Sequence, residues 1–171
     1  MRLGDWRESV PDGYRVAAVD ADFLGSGKKN VREVLGWVEG NWLSQGDFLS
    51  NCFGFCIIHG EAIVTSCLPD CVSGERCEIG INTEVGYRRR GLAALTVAAT
   101  VSYCLDNGVG SIGWRCLANN SDSRRTDKKV GRRGVGTDNR IRAGHRCLPG
   151  LVHRRDLSSR DAYASPYSKR N

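Results

Sequence analysis

The sequence contains no run of 18 apolar residues, so no transmembrane helix is expected. Its first residues, Met1 to Glu8, hold no apolar stretch of the kind a secretory signal needs, so a cytoplasmic setting is expected. That absence decides how the eight cysteines are read. In a secreted chain they would suggest disulfides. In a reducing compartment Cys52, Cys56, Cys67, Cys77 and Cys116, all in apolar or strand-like contexts, read as small buried hydrophobic residues. A zinc site would have to pair Cys52-x-x-x-Cys56 with Cys67-x-x-x-Cys71. Structural knuckles more often use two-residue spacing and both pairs adjoin apolar strand residues, so no metal is expected.

The body of the chain also lacks an excess of either charge. Residues 1–131 carry 15 Lys/Arg against 16 Asp/Glu, whereas residues 132–171 carry 10 Lys/Arg against three Asp. The formal net charge of +6 therefore belongs to the last part of the chain. A length of 171 residues and an apolar content of 40% suit one domain with a tail. We divide the chain into a domain over 1–131 and a basic tail over 132–171, which is expected to be disordered. The tail holds only Tyr163 and Tyr167 as aromatics and no recognised binding motif. A nucleic-acid partner is therefore not expected, and binding through the tail stays as an alternative.

No internal repeat is present, and the elements follow one another singly. Pro11-Asp12-Gly13 signals a turn before a strand over Tyr14 to Val19. Val31, Val34, Leu35, Val38 and Trp42 share one helical face over 30–43, with Asn30 as N-cap candidate. Phe53–Ile58 and Ala62–Cys67, joined by His59-Gly60-Glu61, read as a β-hairpin. His59 at its tip reads as a turn residue rather than a catalyst. Pro69-Asp70 and Ser73-Gly74 mark a second turn, before a strand over Cys77 to Thr83. Gly80 within that strand suggests a bulge or a close backbone approach. Ala94, Ala98, Val101 and Leu105 form one buried stripe of a helix over 91–107, stopped at Asn107-Gly108. A strand over Ser111 to Leu117 and a last helix over 120–130 complete the order β-α-β-β-β-α-β-α, a mixed α/β domain.

The stretch with chemical content is the strand Glu78–Thr83, the turn Glu84–Arg90 and the helix opening at Gly91. A helix start exposes unpaired N–H groups and a partial positive charge. Small residues at Gly91, Ala93 and Ala94 allow close approach, and Arg88, Arg89 and Arg90 add formal charge. The combination suits a doubly anionic group such as a pyrophosphate. It lacks the Gly-Lys-Ser/Thr ending of a Walker A loop and the G-x-G-x-x-G spacing of a dinucleotide fingerprint.

Arg88-x-x-Gly91-x-Ala93 resembles the Gln/Arg-x-x-Gly-x-Gly/Ala cofactor motif of the GNAT superfamily of N-acetyltransferases. Downstream, Asn120-x-x-Ser123 and Lys129-Val130-Gly131 resemble the same family's N-x-x-S…K-[LV]-G-F segment. The runs GFCIIHGEAIV, RCEIGINTEVGYRRRGLAALTVAA and WRCLANN are similar to the subgroup containing the zwittermicin-resistance acetyltransferases, and the resemblance covers about residues 11–131. It implies a GNAT-like acyl-CoA N-acyltransferase fold with a central mixed sheet and acetyl-CoA as co-substrate. The N–H groups of about Arg89 to Ala94, Leu92 included, would hold the pyrophosphate, with Arg88 beside them. The strand edge at Ile81 and Thr83 would pair with the pantetheine arm and polarise the thioester carbonyl. Asn120, with Ser123, would meet the cofactor from the last helix. A primary amine of a small molecule would attack the acetyl group directly, with Glu78 as general base and Glu84 as a weaker candidate.

Three departures shape the expectation. Asp127 stands where many members carry a tyrosine acid, and Arg132 stands where the motif has Phe. Residues 132–171 show neither of the two strands with which the family completes its sheet. The last two strands are therefore expected to be missing, and a reading-frame shift near codon 131 would produce such a tail. Sequencing the gene tests this; a downstream alternate frame without a family-like ending would sink it. The start also looks short, because the subgroup usually has an upstream domain. A catalytically impaired acetyl-CoA-binding remnant stands as the alternative.

Overall fold

The structure, a computed structural model, describes residues 6–114 and Thr126. Its elements run β1 (Tyr14–Ala18), α1 (Ala21–Leu24), α2 (Val31–Asn41), α3 (Gln45–Asn51), β2 (Phe55–His59), β3 (Ala62–Ser73), β4 (Arg76–Thr83), α4 (Leu92–Asp106) and β5 (Ser111–Trp114). Short 3-10 turns occupy Arg7–Ser9 and Val85–Tyr87. The five strands form one sheet in chain order. They are antiparallel from β1 to β4, and β5 then joins β4 in parallel after the crossover through α4. The result is the mixed α/β class expected from the pattern of elements.

Period-two alternation in the strands feeds two cores on opposite faces of the sheet. Cys56, Ile58, Ile63 and Leu68 pack with Phe23, Val34, Val38 and Phe48 under α1, α2 and α3. Phe55, Ile57 and Val64 pack with Leu92, Leu95 and Ala98 of α4. Cys67, Cys77, Ile79 and Ile112 continue that second face against Val97, Val101 and Cys104. Fully burying a side chain such as Phe48 or Leu92 contributes about 1.5–3 kcal/mol. Among the described residues no helix is long and apolar enough to cross a membrane.

Several expectations are corrected. The chain makes α1 and α3 where no helix was read, because four and seven residues are too short to show a period. Each has a side-chain cap: the Phe23 N–H donates to Asp20 Oδ1 at 2.7 Å, and the Asp47 N–H donates to Ser44 Oγ at 3.0 Å. Pro69-Asp70 is not a turn, since β3 runs through it to Ser73. Its last partner in β2 is Phe55, opposite Cys67, so Pro69 faces β4 alone, and a register shift between Pro69 and Cys71 absorbs the irregularity. Leu105 is 53% exposed, and Cys104 takes the buried position at that end of α4. Asn30 occupies the N-cap of α2 but adopts φ 68° and makes no cap bond. Its Nδ2 donates instead to the Ile63 carbonyl at 2.9 Å. The last helix, the end of the strand past Trp114 and the tail lie outside the described residues, apart from Thr126, which is helical.

Candidate functional site

β4 is central to the site because its two faces meet different layers. Cys77 and Ile79 point into the core under α4. Alternation sends Glu78 and Gly80 to the α2 face. There a Cβ at Gly80 would overlap the indole of Trp37, so the close approach inferred for this glycine is real. Glu78 is half-buried, and its Cγ would lie 3.0 Å from a Cβ at Gly113, its cross-strand partner in β5. Pairing with β5 is described for Arg76 through Ile79. Gly80 through Thr83 pair with β3, and among the described residues they have no neighbour on the other side.

After Thr83 the chain turns through Val85–Tyr87 and enters α4. Arg89 and Gly91 adopt φ 61° and 83°, both left-handed. Only glycine takes that conformation without strain, which explains Gly91, and a side chain there would otherwise meet open space. The Gly91 carbonyl accepts the Ala94 N–H at 3.0 Å and the Leu95 N–H at 3.2 Å. Among the described residues, no hydrogen bond engages the N–H groups of Arg89, Arg90, Gly91, Leu92 or Ala93. Leu92 is 1% exposed and packs with Leu95 and Ala98, so it anchors the start of the helix in the core. A 15-residue helix thus opens with free donors, a positive dipole end and nearby arginines, an arrangement that can hold a multiply charged anion.

The sequence-derived site residues do not all stand alike. Arg88 Nε donates to the Thr83 carbonyl at 3.0 Å, so that carbonyl is engaged by the protein itself. Ile81 packs partly against the α4 core. Ala94 is buried and its N–H is used. Asn120 and Ser123 lie outside the described residues, as does Asp127. Glu84 donates its N–H to the Val64 carbonyl at 3.0 Å, and its side chain makes no cap bond. Sequence reasoning missed Trp37 against Gly80, for which Gly80 was the available signal. It also missed Tyr14 and Tyr87, which meet beside the α4 start.

The cysteines under α4 are thiols rather than nucleophiles. Burial pushes Cys67 up to about 12. A hydrogen bond with Cys77, then burial, holds Cys104 protonated far above the ordinary thiol range, and the two sulfurs lie 3.8 Å apart. Burial does the same for Cys56, reinforced by Cys67. Among the described residues no group of three His, Cys, Asp or Glu side chains is placed to hold a metal ion.

The model of the GNAT acetyltransferase family matches residues 1–133. The chain belongs to the GNAT acetyltransferase family. It is 29% identical over 113 residues to YdfB, an uncharacterized N-acetyltransferase of Bacillus subtilis, covering 66% of this chain and 42% of YdfB. A GCN5-related N-acetyltransferase-like protein from Streptococcus suis superposes with a TM-score of 0.63 at 23% identity, over 75% of this chain and 50% of that one. The aminoglycoside acetyltransferase AAC(6')-Iy, bound to a bisubstrate analog, superposes with a TM-score of 0.56 at 15% identity, over 78% of this chain and 99% of that one. The GNAT chain described here thus spans about half the length of its first relatives, and the distant structural likenesses establish its fold.

Proposed function

We propose that this GNAT chain transfers the acetyl group of acetyl-CoA to a primary amine of a small molecule. The observation that carries the reading is the α4 start, where the N–H groups from Arg89 to Ala93 have no partner among the described residues and a Cβ at Gly91 would meet open space. That geometry fits a pyrophosphate, and family membership supports acetyl-CoA as its owner. The bisubstrate analog in AAC(6')-Iy, a CoA joined to an acetylneamine, supports a small amine as acceptor.

Acetyl-CoA supplies an activated acetyl thioester. The backbone donors of Arg89 to Ala93 hold its phosphates, on a segment to which Arg88, Arg89 and Arg90 all belong. The side of β4 that has no neighbour among the described residues at Ile81 and Thr83 offers the Ile81 backbone groups and the Thr83 N–H to the pantetheine arm, and an N–H there would stabilise the developing oxyanion. From the α2 face Glu78 takes a proton from the substrate ammonium, directly or through water, so that the neutral amine would attack the acetyl carbon as the C–S bond breaks and CoA leaves as a thiolate that is protonated by solvent. Asn120 and Ser123 complete the cofactor contacts. The reading takes 1–131 as the catalytic unit, 132–171 as a tail outside it and the cytoplasm as its location.

Calorimetric titration with acetyl-CoA, followed by turnover on a panel of small amines, tests this. Binding with acetylation of at least one amine is expected. Absence of binding at millimolar acetyl-CoA would refute the reading, and binding without turnover on any amine would establish the catalytically impaired remnant instead.

A further inference from the structure

The three arginines before Gly91 are not equivalent in the fold. Arg88 is tied back to the end of β4 through the Thr83 carbonyl. Arg90 is tied to two tyrosines: its Nη1 donates to Tyr14 Oη at 3.3 Å, and its guanidinium carbon lies 5.2 Å from the centre of the Tyr87 ring. Tyr87 Oη shares a hydrogen bond of 3.2 Å with His59 Nδ1. The His59 ring stacks on Tyr14 with centroids 4.4 Å apart, and Tyr14 meets Tyr87 edge-on at 6.4 Å. The box is built from three distant parts of the chain. Tyr14 and His59 are direct cross-strand partners of β1 and β2, and Tyr87 closes the 3-10 turn. Tyr14 and Tyr87 also pack against the core that holds Leu92 and Leu95.

Between the two tethered arginines sits Arg89 in a left-handed conformation that a non-glycine residue adopts only when its surroundings enforce it. The residue on either side of it is held by a side-chain hydrogen bond. We propose that Tyr14, His59 and Tyr87 are positioning residues: they dock the Arg90 side chain and so hold the backbone from Arg89 to Ala93 in its donor-presenting shape. Arg88 and Arg90 then act through the backbone, and Arg89 is the arginine whose charge meets the ligand. The proposal rests on the acetyl-CoA reading for what the backbone is shaped to receive. The docking itself is a property of the cofactor-free chain.

Tyr14→Phe removes one oxygen and no charge, so it isolates the dock. NMR backbone order parameters for Arg89 to Ala93, measured on the cofactor-free protein, are expected to fall from about 0.85 towards 0.6. His59→Ala is expected to shift them in the same direction by less. With acetyl-CoA as probe, Tyr14→Phe is expected to raise Kd about threefold to tenfold and leave the slope of log Kd against log salt unchanged. Arg89→Ala is expected to raise Kd comparably and flatten that slope, because it removes a charge that meets phosphate. Unchanged order parameters in Tyr14→Phe would overturn the proposal. So would a slope flattened as much by Arg90→Ala as by Arg89→Ala, which would put Arg90 on the phosphates. Failure of the wild-type chain to bind acetyl-CoA would defeat the cofactor reading, while a fall in order parameters in Tyr14→Phe would still establish the dock.

Discussion

Helix α2 is entered through Asn30 at φ 68° and helix α4 through Gly91 at φ 83°, and neither residue caps its helix with a side chain. The only two non-glycine residues with positive φ among those described, Asn30 and Arg89, lie at these two starts. At α2 the lead-in is stitched to the β2–β3 hairpin. The Lys29 N–H donates to the Glu61 carbonyl at 3.1 Å, the Ile63 N–H donates to the Lys29 carbonyl at 3.0 Å, and Lys28 pairs with Glu61 at 3.3 Å. At α4 the N–H groups of Arg90 and Leu92, which stand where Lys29 and Val31 stand at α2, have no partner among the described residues. The same left-handed entry therefore precedes a lead-in stitched to the sheet at α2 and one without such bonds, among the described residues, at α4. A helix end normally satisfies its N–H groups through caps, water or a ligand, and α1 and α3 do so with Asp20 and Ser44. The unmatched donors at α4 are what the acetyl-CoA proposal rests on.

The largest expected effect comes from closing the open start. Gly91→Asp places a carboxylate at the positive end of α4, in a conformation Asp tolerates better than most residues. Acetyl-CoA affinity should fall about 100-fold, roughly 3 kcal/mol, while the left-handed strain lowers stability by only about 1 kcal/mol. Normal binding by calorimetry would break the comparison. On the α2 side, Gly80→Ala pushes a methyl into Trp37 and should cost about 1–3 kcal/mol by urea unfolding. Asn30→Ala loses the bond to the Ile63 carbonyl and keeps the strained φ, so about 1–2 kcal/mol of stability should go with acetyl-CoA affinity unchanged. Arg89→Gly should do the opposite: relief of the left-handed strain raises stability by about 1 kcal/mol, and loss of the charge weakens binding several-fold.

The smallest effect concerns the thiols beneath α4. The Cys67 thiol has an ordinary value of 9.0 and a folded value of about 12. Below pH 9 it is protonated in both states. As pH rises through 9 the unfolded chain loses this proton and the folded chain keeps it, so stability declines towards pH 12. The loss between pH 8 and pH 10 in urea midpoints should be smaller in Cys67→Ala by about 1 kcal/mol or less. An identical loss in both proteins would show that Cys67 is not shielded as its burial indicates.

Legibility in the sequence followed element length and locality. Val31, Val34 and Val38 made α2 visible because three turns are enough to display a period. The hairpin around Gly60 and the Gly91 helix start were visible because glycine marks positions only it tolerates, and both have positive φ. Four-residue α1 offered no period to read. Pro69-Asp70 misled because a strand can pass through a proline only where one neighbour is absent and a bulge intervenes, and neither condition is written locally. Leu105 misled because α4 is buried on most of its surface, so its exposed strip is set by where the sheet ends.

Determined by the sequence alone were the family motif Arg88-x-x-Gly91-x-Ala93, its position between a strand and a helix, and the split of charge between the body and the tail. These depend on local backbone chemistry and on counting. The tertiary structure alone decided that Arg90 is engaged by Tyr14 and Tyr87, because β1–β2 pairing and the turn after β4 bring these distant residues to it. It also decided that Glu78 shares the α2 face with Trp37, because strand alternation orients a side chain only once the core has selected a face.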